Sequence, residues 1–161
     1  PVFVAPATKP GYTERENLGY ERKYSFKKKN FSSIVSCNRN DTSIYQNEEA
    51  LLIREKKAYL ENESIINLGE HVFDNDAIIF KGLNSNEVTI KCKKSSRELK
   101  VEYDNFPYIA FWSVPKAPFV CIEPWYGQSD FTDASGELTE KEGIEKVKDR
   151  FTAKLSISMK V

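Results

Sequence analysis

Much of the chain alternates polar and apolar residues with a period of two, which is the pattern of half-buried β-strands. Residues 87–93 and 98–103 alternate in this way, and the short polar stretch between them predicts an antiparallel hairpin. Residues 20–26, 32–37 and 151–159 also alternate, and we expect the last of these to be a half-exposed strand. The pattern predicts antiparallel sheets that turn one face to a core and the other to water.

Three further segments are apolar on both faces, at residues 76–80, 106–114 and 118–122. They predict strands that are buried on both sides, with a tight turn at residues 115–117 between the second and the third. Residues 47–60 are ambiguous, because residues 48–52 are good helix formers. No internal repeat or Gly/Ser-rich linker divides the chain. We therefore expect one all-β domain over residues 1–161, of the β-sandwich type.

Charge and composition exclude several classes of function. The 161 residues carry 24 basic and 24 acidic side chains, so the surface lacks the basic excess that nucleic acids or anionic membranes require. No apolar stretch is long enough to cross a bilayer, and we expect a cytoplasmic protein. The three cysteines, Cys37, Cys92 and Cys121, are too few and too widely spaced for a disulfide framework or a zinc site.

The candidate for chemistry is Glu123. It follows the buried segment at residues 118–122 and precedes a proline and two aromatic residues. Burial raises the pKa of a glutamate toward the range in which it exchanges protons near neutrality. The alternative is a glutamate at a strand end that faces solvent or pairs with a lysine. The residues alone do not decide between the two.

Two neighbouring strings of sequence carry a resemblance to a known family: FPYIAFWS at residues 106–113 and PFVCIEPWYG at residues 118–127. They resemble the aldose 1-epimerase (galactose mutarotase) family, in its LacX-like branch, and the resemblance is strongest over residues 65–145. It implies a large twisted antiparallel β-sandwich, the galactose mutarotase-like supersandwich. It also implies an enzyme that interconverts the α and β anomers of a free hexose by acid and base catalysis, without a cofactor or a metal.

The resemblance assigns Glu123 the role of the general base, which takes the proton from the hydroxyl at C1 of the sugar. The family's general acid is a histidine from the N-terminal half, just before a Pro-x-Phe segment. Because Pro1, Val2 and Phe3 open this chain, we expect the sandwich to be incomplete at its N-terminus and the acid to be missing. His71, the only histidine, matches a family position that is not the acid, and we expect it to be structural or exposed. The chain alone should therefore be a weak mutarotase or an inactive one.

The resemblance also indicates side chains that bind the monosaccharide: Asp76, Trp125 and Tyr126. Asp76 precedes an apolar strand, although Asp-Asn-Asp at residues 74–76 is also a good turn sequence. Trp125 and Tyr126 adjoin the base, and aromatic faces stack on the C–H face of a pyranose, yet aromatics at strand ends are often core. Residues 128–130 lie in the following loop, which could rim the pocket.

Two other classes of function remain open at this point. A carbohydrate-binding β-sandwich without catalysis would keep the aromatic residues and Asp76, but it would need neither the ionised Glu123 nor the histidine. A purely structural sandwich would leave Glu123 unexplained. No basic cluster near Glu123 marks a phosphorylated sugar, and the sequence does not specify which hexose binds.

Overall fold

The described part of the chain forms two five-stranded antiparallel sheets. The computed structural model describes residues 31–36, 42–48, 51–60, 63–92, 95–115, 117 and 119–161. In chain order, the strands are β1 (Phe31–Ser36), β2 (Thr42–Glu48), β3 (Leu51–Leu60), β4 (Ile65–Asn67), β5 (Ile78–Lys81), β6 (Glu87–Cys92), β7 (Glu98–Asp104), β8 (Tyr108–Trp112), β9 (Cys121–Trp125) and β10 (Lys154–Lys160), with a 3₁₀ turn at Leu138–Glu140.

The first sheet, called sheet I, has the strand order β10-β7-β6-β1-β4, and sheet II has the order β3-β2-β5-β8-β9. Each pairing between these strands is antiparallel. The β-sandwich that the alternating pattern predicts is confirmed. In the part of the chain that the structure describes, no helix is long and apolar enough to cross a membrane.

The main core lies between the two sheets. Sheet I contributes Val88, Ile90, Val101 and Tyr103, and sheet II contributes Ile78, Phe80, Ile109 and Phe111, all at most 4% exposed. The alternating residues of β6 and β7 point here because side chains two apart on a strand share a face. Tyr103 keeps its hydroxyl satisfied in this core, since it donates a hydrogen bond to the carbonyl of Ser85 at 2.9 Å.

A second apolar cluster covers the opposite face of sheet II. It consists of Leu52, Ile79, Tyr108, Ala110, Trp125 and Phe131. Phe131 reaches it from the loop after β9, where the amide of Leu52 donates to the carbonyl of Asp130 and the amide of Thr132 donates to the carbonyl of Leu52, each at 2.8 Å. Strands β5 and β8 are therefore buried on both faces, as their continuous apolar sequence predicts.

Several boundaries differ from those that the pattern predicts. In the ambiguous segment at residues 47–60, the described residues are not helical, because β2 ends at Glu48 and β3 extends over Leu51–Leu60 and pairs with β2. The β6–β7 hairpin and the turn at residues 115–117 are confirmed, the latter by the amide of Ala117 donating to the carbonyl of Val114 at 3.0 Å. The last strand is more exposed than expected, since Leu155, Ile157 and Met159 are 50–62% exposed. The strand predicted at residues 20–26 lies outside the described residues.

Candidate active site

Glu123 lies inside β9 on the outer face of sheet II. The prediction that it follows the strand is wrong by about three residues, because β9 begins at Cys121 and ends at Trp125. Within β9 the side chains alternate, so Ile122 packs against the core between the sheets while Cys121, Glu123 and Trp125 share the other face. That face is the one the second apolar cluster covers.

The register of sheet II defines three rows of side chains on this face. The middle row runs Ile79, Ala110, Glu123, because Ile79 pairs with Ala110 and Ala110 pairs with Glu123. On one side of it lies the row formed by Lys81, Tyr108 and Trp125, and on the other side Trp112 pairs with Cys121. Glu123 therefore stands between two rows that each carry a tryptophan.

The surroundings of Glu123 change its proton affinity. Burial against apolar neighbours raises the pKa of the Glu123 carboxyl above its usual value, because the charged form loses hydration. Hydrogen bonds with the Cys121 and Trp125 side chains oppose this by stabilising the carboxylate. The Glu123 carboxyl is only partly exposed and has a raised pKa, which fits a group that accepts and returns protons.

Cys121 is a neighbour of Glu123, two residues before it on the same face of β9. Burial, the nearby charge of Glu123 and the hydrogen bond to it together raise the pKa of the Cys121 thiol to about 12. The thiol is therefore a neutral hydrogen-bond donor rather than a nucleophile. Only its period-two spacing from Glu123 along the strand could have suggested the contact from sequence.

Trp125 and Tyr126, both expected to bind sugar, lie in different places. Trp125 is 5% exposed in the second apolar cluster and lies two residues from Glu123 on the same face of β9, so the structure brings these two together. Tyr126 instead packs between Phe106 and Phe151, with ring centroids 4.7 Å away in each case. The structure therefore does not place Tyr126 in the row of Trp125 beside the base.

Asp76 lies two residues before β5, at the end of sheet II that also holds Trp112 and Cys121. Its backbone is in the left-handed region at φ 72°, and its amide donates to the carbonyl of Phe73 at 3.1 Å. Aspartate tolerates this conformation better than most residues, so the turn alone accounts for an aspartate there. The side chain is half-buried.

His71 is far from a buried catalytic position. It lies on the turn before Asp76 with its side chain 80% exposed, and its Nδ1 is 2.7 Å from the Asp74 carboxylate. This agrees with the expectation of a structural or exposed histidine. The Asp74 carboxylate is occupied by the same contact.

A group of charged residues on the same face was not found from sequence. Glu142 accepts a hydrogen bond from the Tyr108 hydroxyl at 3.0 Å and forms an ion pair with Lys81 at 2.5 Å. The Lys81 and Tyr108 side chains lower the pKa of Glu142 against the opposing effect of burial. No local pattern joins these residues, because Lys81 and Glu142 are 61 positions apart.

Gly143 allows Glu142 to approach Tyr108 and Lys81. It has φ 78°, and a Cβ added there would lie 2.5 Å from the Tyr108 ring. Only glycine fits, because any side chain would have to displace the aromatic ring. Gly143 therefore lets the loop carry Glu142 onto the outer face of sheet II.

The loop after β9 encloses a cavity of about 470 Å³ with the edge strand β3. Arg54, Asp130, Asp133 and Lys141 line it, in two ion pairs of 2.7 Å that join Arg54 to Asp133 and Lys141 to Asp130. Ser129 and Asp130 lie on this rim, while Gln128 is fully buried. Glu123 does not line the cavity, so this cavity is separate from the candidate site at Glu123.

Comparison with known proteins places the fold in a class. A galactose mutarotase related enzyme from Lactobacillus acidophilus is 26% identical, with a TM-score of 0.66 over 83% of this chain and 44% of its own. A galactose mutarotase-like protein from Lactobacillus casei, 16% identical, has a TM-score of 0.67 over 82% of this chain and 47% of its own. No family model matches the chain. The architecture is that of a galactose mutarotase-like β-sandwich.

The sequence relatives identify the family within this class of fold. The plasmid and chromosomal forms of the LacX protein of Lactococcus lactis are each 31% identical over 132 residues, which are 81% of this chain. The chain belongs to the aldose 1-epimerase-like family, as the strings around Glu123 indicate. It spans 44% of the length of the LacX proteins that it matches.

Proposed function

We propose that this chain carries the base half of a sugar mutarotase site, in which Glu123 takes the proton from the anomeric hydroxyl of a free hexose. The observation that carries the proposal is the position of Glu123, half-buried on one face of sheet II between Cys121 and Trp125, with a raised pKa. Family membership supports the same chemistry, since the structural relative from L. acidophilus is described as a galactose mutarotase related enzyme.

The reaction needs two proton-transfer groups. Removal of the proton from the C1 hydroxyl and protonation of the ring oxygen open the ring, and closure on the other face inverts the anomeric carbon. Each positioned acid or base contributes about 10²–10⁴-fold to such a step. A carboxyl whose pKa lies close to the working pH is suited to the first transfer, because it is ionised before the step and holds the proton after it.

The second group is not assigned to this chain. His71 lies exposed on a turn and is paired with Asp74, which does not suit a group that must meet the ring oxygen opposite Glu123. We therefore infer that the isolated chain binds a hexose at the base and turns it over weakly or not at all. A second candidate, sugar binding without catalysis, uses the same face and differs in the role of the ionised carboxyl.

Binding is tested by NMR on the whole chain. We expect glucose or galactose, added to about 100 mM, to shift the indole N–H resonance of Trp125 and the side-chain carbonyl resonance of Glu123. Sorbitol, which has no anomeric hydroxyl, should shift them less, and Glu123→Ala should weaken the effect of both hexoses. Equal shifts with sorbitol, or no shift with any hexose, would contradict a sugar site at Glu123.

A further inference from the structure

The outer face of sheet II is closed to solvent on one side of Glu123. Tyr108 and Trp125, which form the row on that side, are 2% and 5% exposed. They belong to the second apolar cluster, together with Leu52 of β3 and Phe131 of the loop after β9. A ligand reaches Glu123 from this side only if the cluster opens.

The row on the other side of Glu123 is open to solvent. Trp112 and Cys121 form this row, and both are half-buried, as Glu123 is. Because Trp112 pairs with Cys121, it is the diagonal neighbour of Glu123 across β8 and β9. Diagonal neighbours on one face of an antiparallel pair lie about 7–8 Å apart, within reach of an aromatic side chain. The spacing suits a ligand that touches both the indole and the carboxyl.

The ring of Trp112 is held by the segment that leads into β9. Its centroid lies 6.3 Å from that of Phe119, with 62° between the two planes. This is the edge-to-face arrangement that aromatic pairs favour. A side chain fixed by packing loses little conformational freedom when a ligand binds. Trp112 is therefore an ordered ring that keeps part of its surface in water.

Asp76 adds a polar group at the same end of sheet II. It lies two residues before β5, and Ile78 of that strand pairs with Phe111, the residue before Trp112. Its side chain is half-buried. A carboxylate accepts hydrogen bonds and a sugar hydroxyl donates them. An apolar platform with a few polar groups around it is the usual composition of a small-molecule site.

We propose that Trp112 is the aromatic side chain on which the hexose lies at Glu123, with the C–H face of the pyranose against the indole. The inference rests on the proposed function and deepens it, because it assigns the side from which the sugar reaches the base. Trp125, which the sequence indicates as a sugar-binding residue, then has a packing role, since its ring is covered by the second apolar cluster.

The wild-type chain provides the first test, because Trp112 and Trp125 are its only tryptophans. With glucose or galactose in excess, we expect intermolecular nuclear Overhauser effects between the C–H protons of the hexose and the ring protons of Trp112. The ring protons of Trp125 should show none. Trp112→Phe assigns the two indoles by the loss of one set of resonances. A bound hexose that gives the effects only with Trp125, or with neither indole, would overturn the proposal.

Variants test the contribution of the ring to affinity. We expect Trp112→Ala to raise the Kd for glucose or galactose by about fivefold or more, and Trp112→Phe to raise it less, because a smaller ring remains. Phe151→Ala is the matched control. Phe151 is an exposed ring that packs edge-on against Tyr126, and its removal should change the Kd by less than about twofold. An unchanged Kd in Trp112→Ala would count against the platform, and the wild-type measurement does not depend on how this variant folds.

The inference and the proposed function fail separately in these experiments. Contacts with Trp112 that persist in Glu123→Ala at an unchanged Kd would keep the aromatic platform and remove the role of Glu123. Hexose binding that Glu123→Ala weakens, without any contact at Trp112, would keep the sugar site at Glu123 and remove the platform.

Discussion

Ala110 is the direct cross-strand neighbour of Glu123, and its methyl group is the only side chain that β8 places in the row of that carboxylate. Ala110 is fully buried, and the bulkier Tyr108 and Trp112 lie in the adjacent rows of the same face. A small residue at this position leaves room for the Glu123 side chain on the side that faces β8.

Enlarging Ala110 should therefore affect both stability and the base. We expect Ala110→Leu to lower the free energy of unfolding by about 1–3 kcal/mol, because extra methylenes in a packed position force neighbouring side chains out of place. Urea denaturation measures this. Ala58→Leu, at an exposed position of β3, is the matched control and should change the stability by less than about 0.5 kcal/mol. Equal effects at the two positions would contradict the packing of Ala110.

Removal of the Glu123 charge should stabilise the protein, and more so as the pH rises. Since the pKa of Glu123 is raised in the folded state, the folded chain binds the proton more tightly than the unfolded chain, and stability falls as pH rises from the unfolded value to the folded one. Glu123→Gln cannot ionise at this position, so its stability does not fall with pH for this reason. We expect it to gain about 1 kcal/mol at pH 8 relative to the wild type, and little at pH 3.5.

Thermal or urea unfolding across this pH range checks the prediction. Glu137→Gln, an exposed glutamate before the 3₁₀ turn, serves as the control and should track the wild type within about 0.5 kcal/mol at each pH. A Glu123→Gln variant that is less stable than the wild type at pH 8 would mean that the folded protein favours the carboxylate, against the direction of the raised pKa.

The Cys121 thiol should resist alkylation. With a pKa of about 12 it is a thiolate only about 10⁻⁴ of the time at pH 8, so iodoacetamide should label it about a thousandfold more slowly than an ordinary thiol. Mass spectrometry of a variant with Cys37→Ser and Cys92→Ser measures this site alone. Glu123→Gln should speed the labelling, because the charge that opposes the thiolate is gone. Labelling at the rate of free glutathione would contradict the burial of Cys121 beside Glu123.

Strand β9 shows most clearly how much of the fold could be predicted from the sequence. The strings around residues 106–127 were enough to predict paired buried strands, because two-sided burial leaves continuous apolar runs. They did not place the strand boundary, since Pro124 argued for an early end and instead sits inside the edge strand of sheet II, where its missing N–H is tolerated.

Contacts that depend on distant parts of the chain could not be predicted. The approach of Glu142 to Tyr108 and Lys81 needs the loop after β9 to fold back, with Gly143 fitting against the ring. The helix-favouring residues 48–52 were misleading for a related reason. Pairing of β3 with β2 and with the loop at Phe131 outweighs the local helical preference.

Gln128 gives a further test of the loop after β9. Its side chain is fully buried, and neither its amide nitrogen nor its amide oxygen has a hydrogen-bond partner. An unpartnered buried amide is costly, so we expect Gln128→Leu to raise the free energy of unfolding by about 1–2 kcal/mol. Gln128→Glu should lower it by about 3 kcal/mol, since it buries a charge. A destabilising Gln128→Leu would show that the carboxamide is hydrogen-bonded in solution.

The most direct test of Glu123 as a base supplies a general acid from solution. Exchange NMR measures the rate at which galactose or glucose anomers interconvert in the presence of the whole chain, with and without about 100 mM imidazole at pH 7. Without imidazole, the wild type and Glu123→Gln should give equal rates. With imidazole as the acid, we expect the protein-dependent rate of the wild type to exceed that of Glu123→Gln by about threefold or more, because only the wild type provides the base. Equal rates in imidazole, in a chain that binds the hexose, would contradict the assignment of Glu123 as the base.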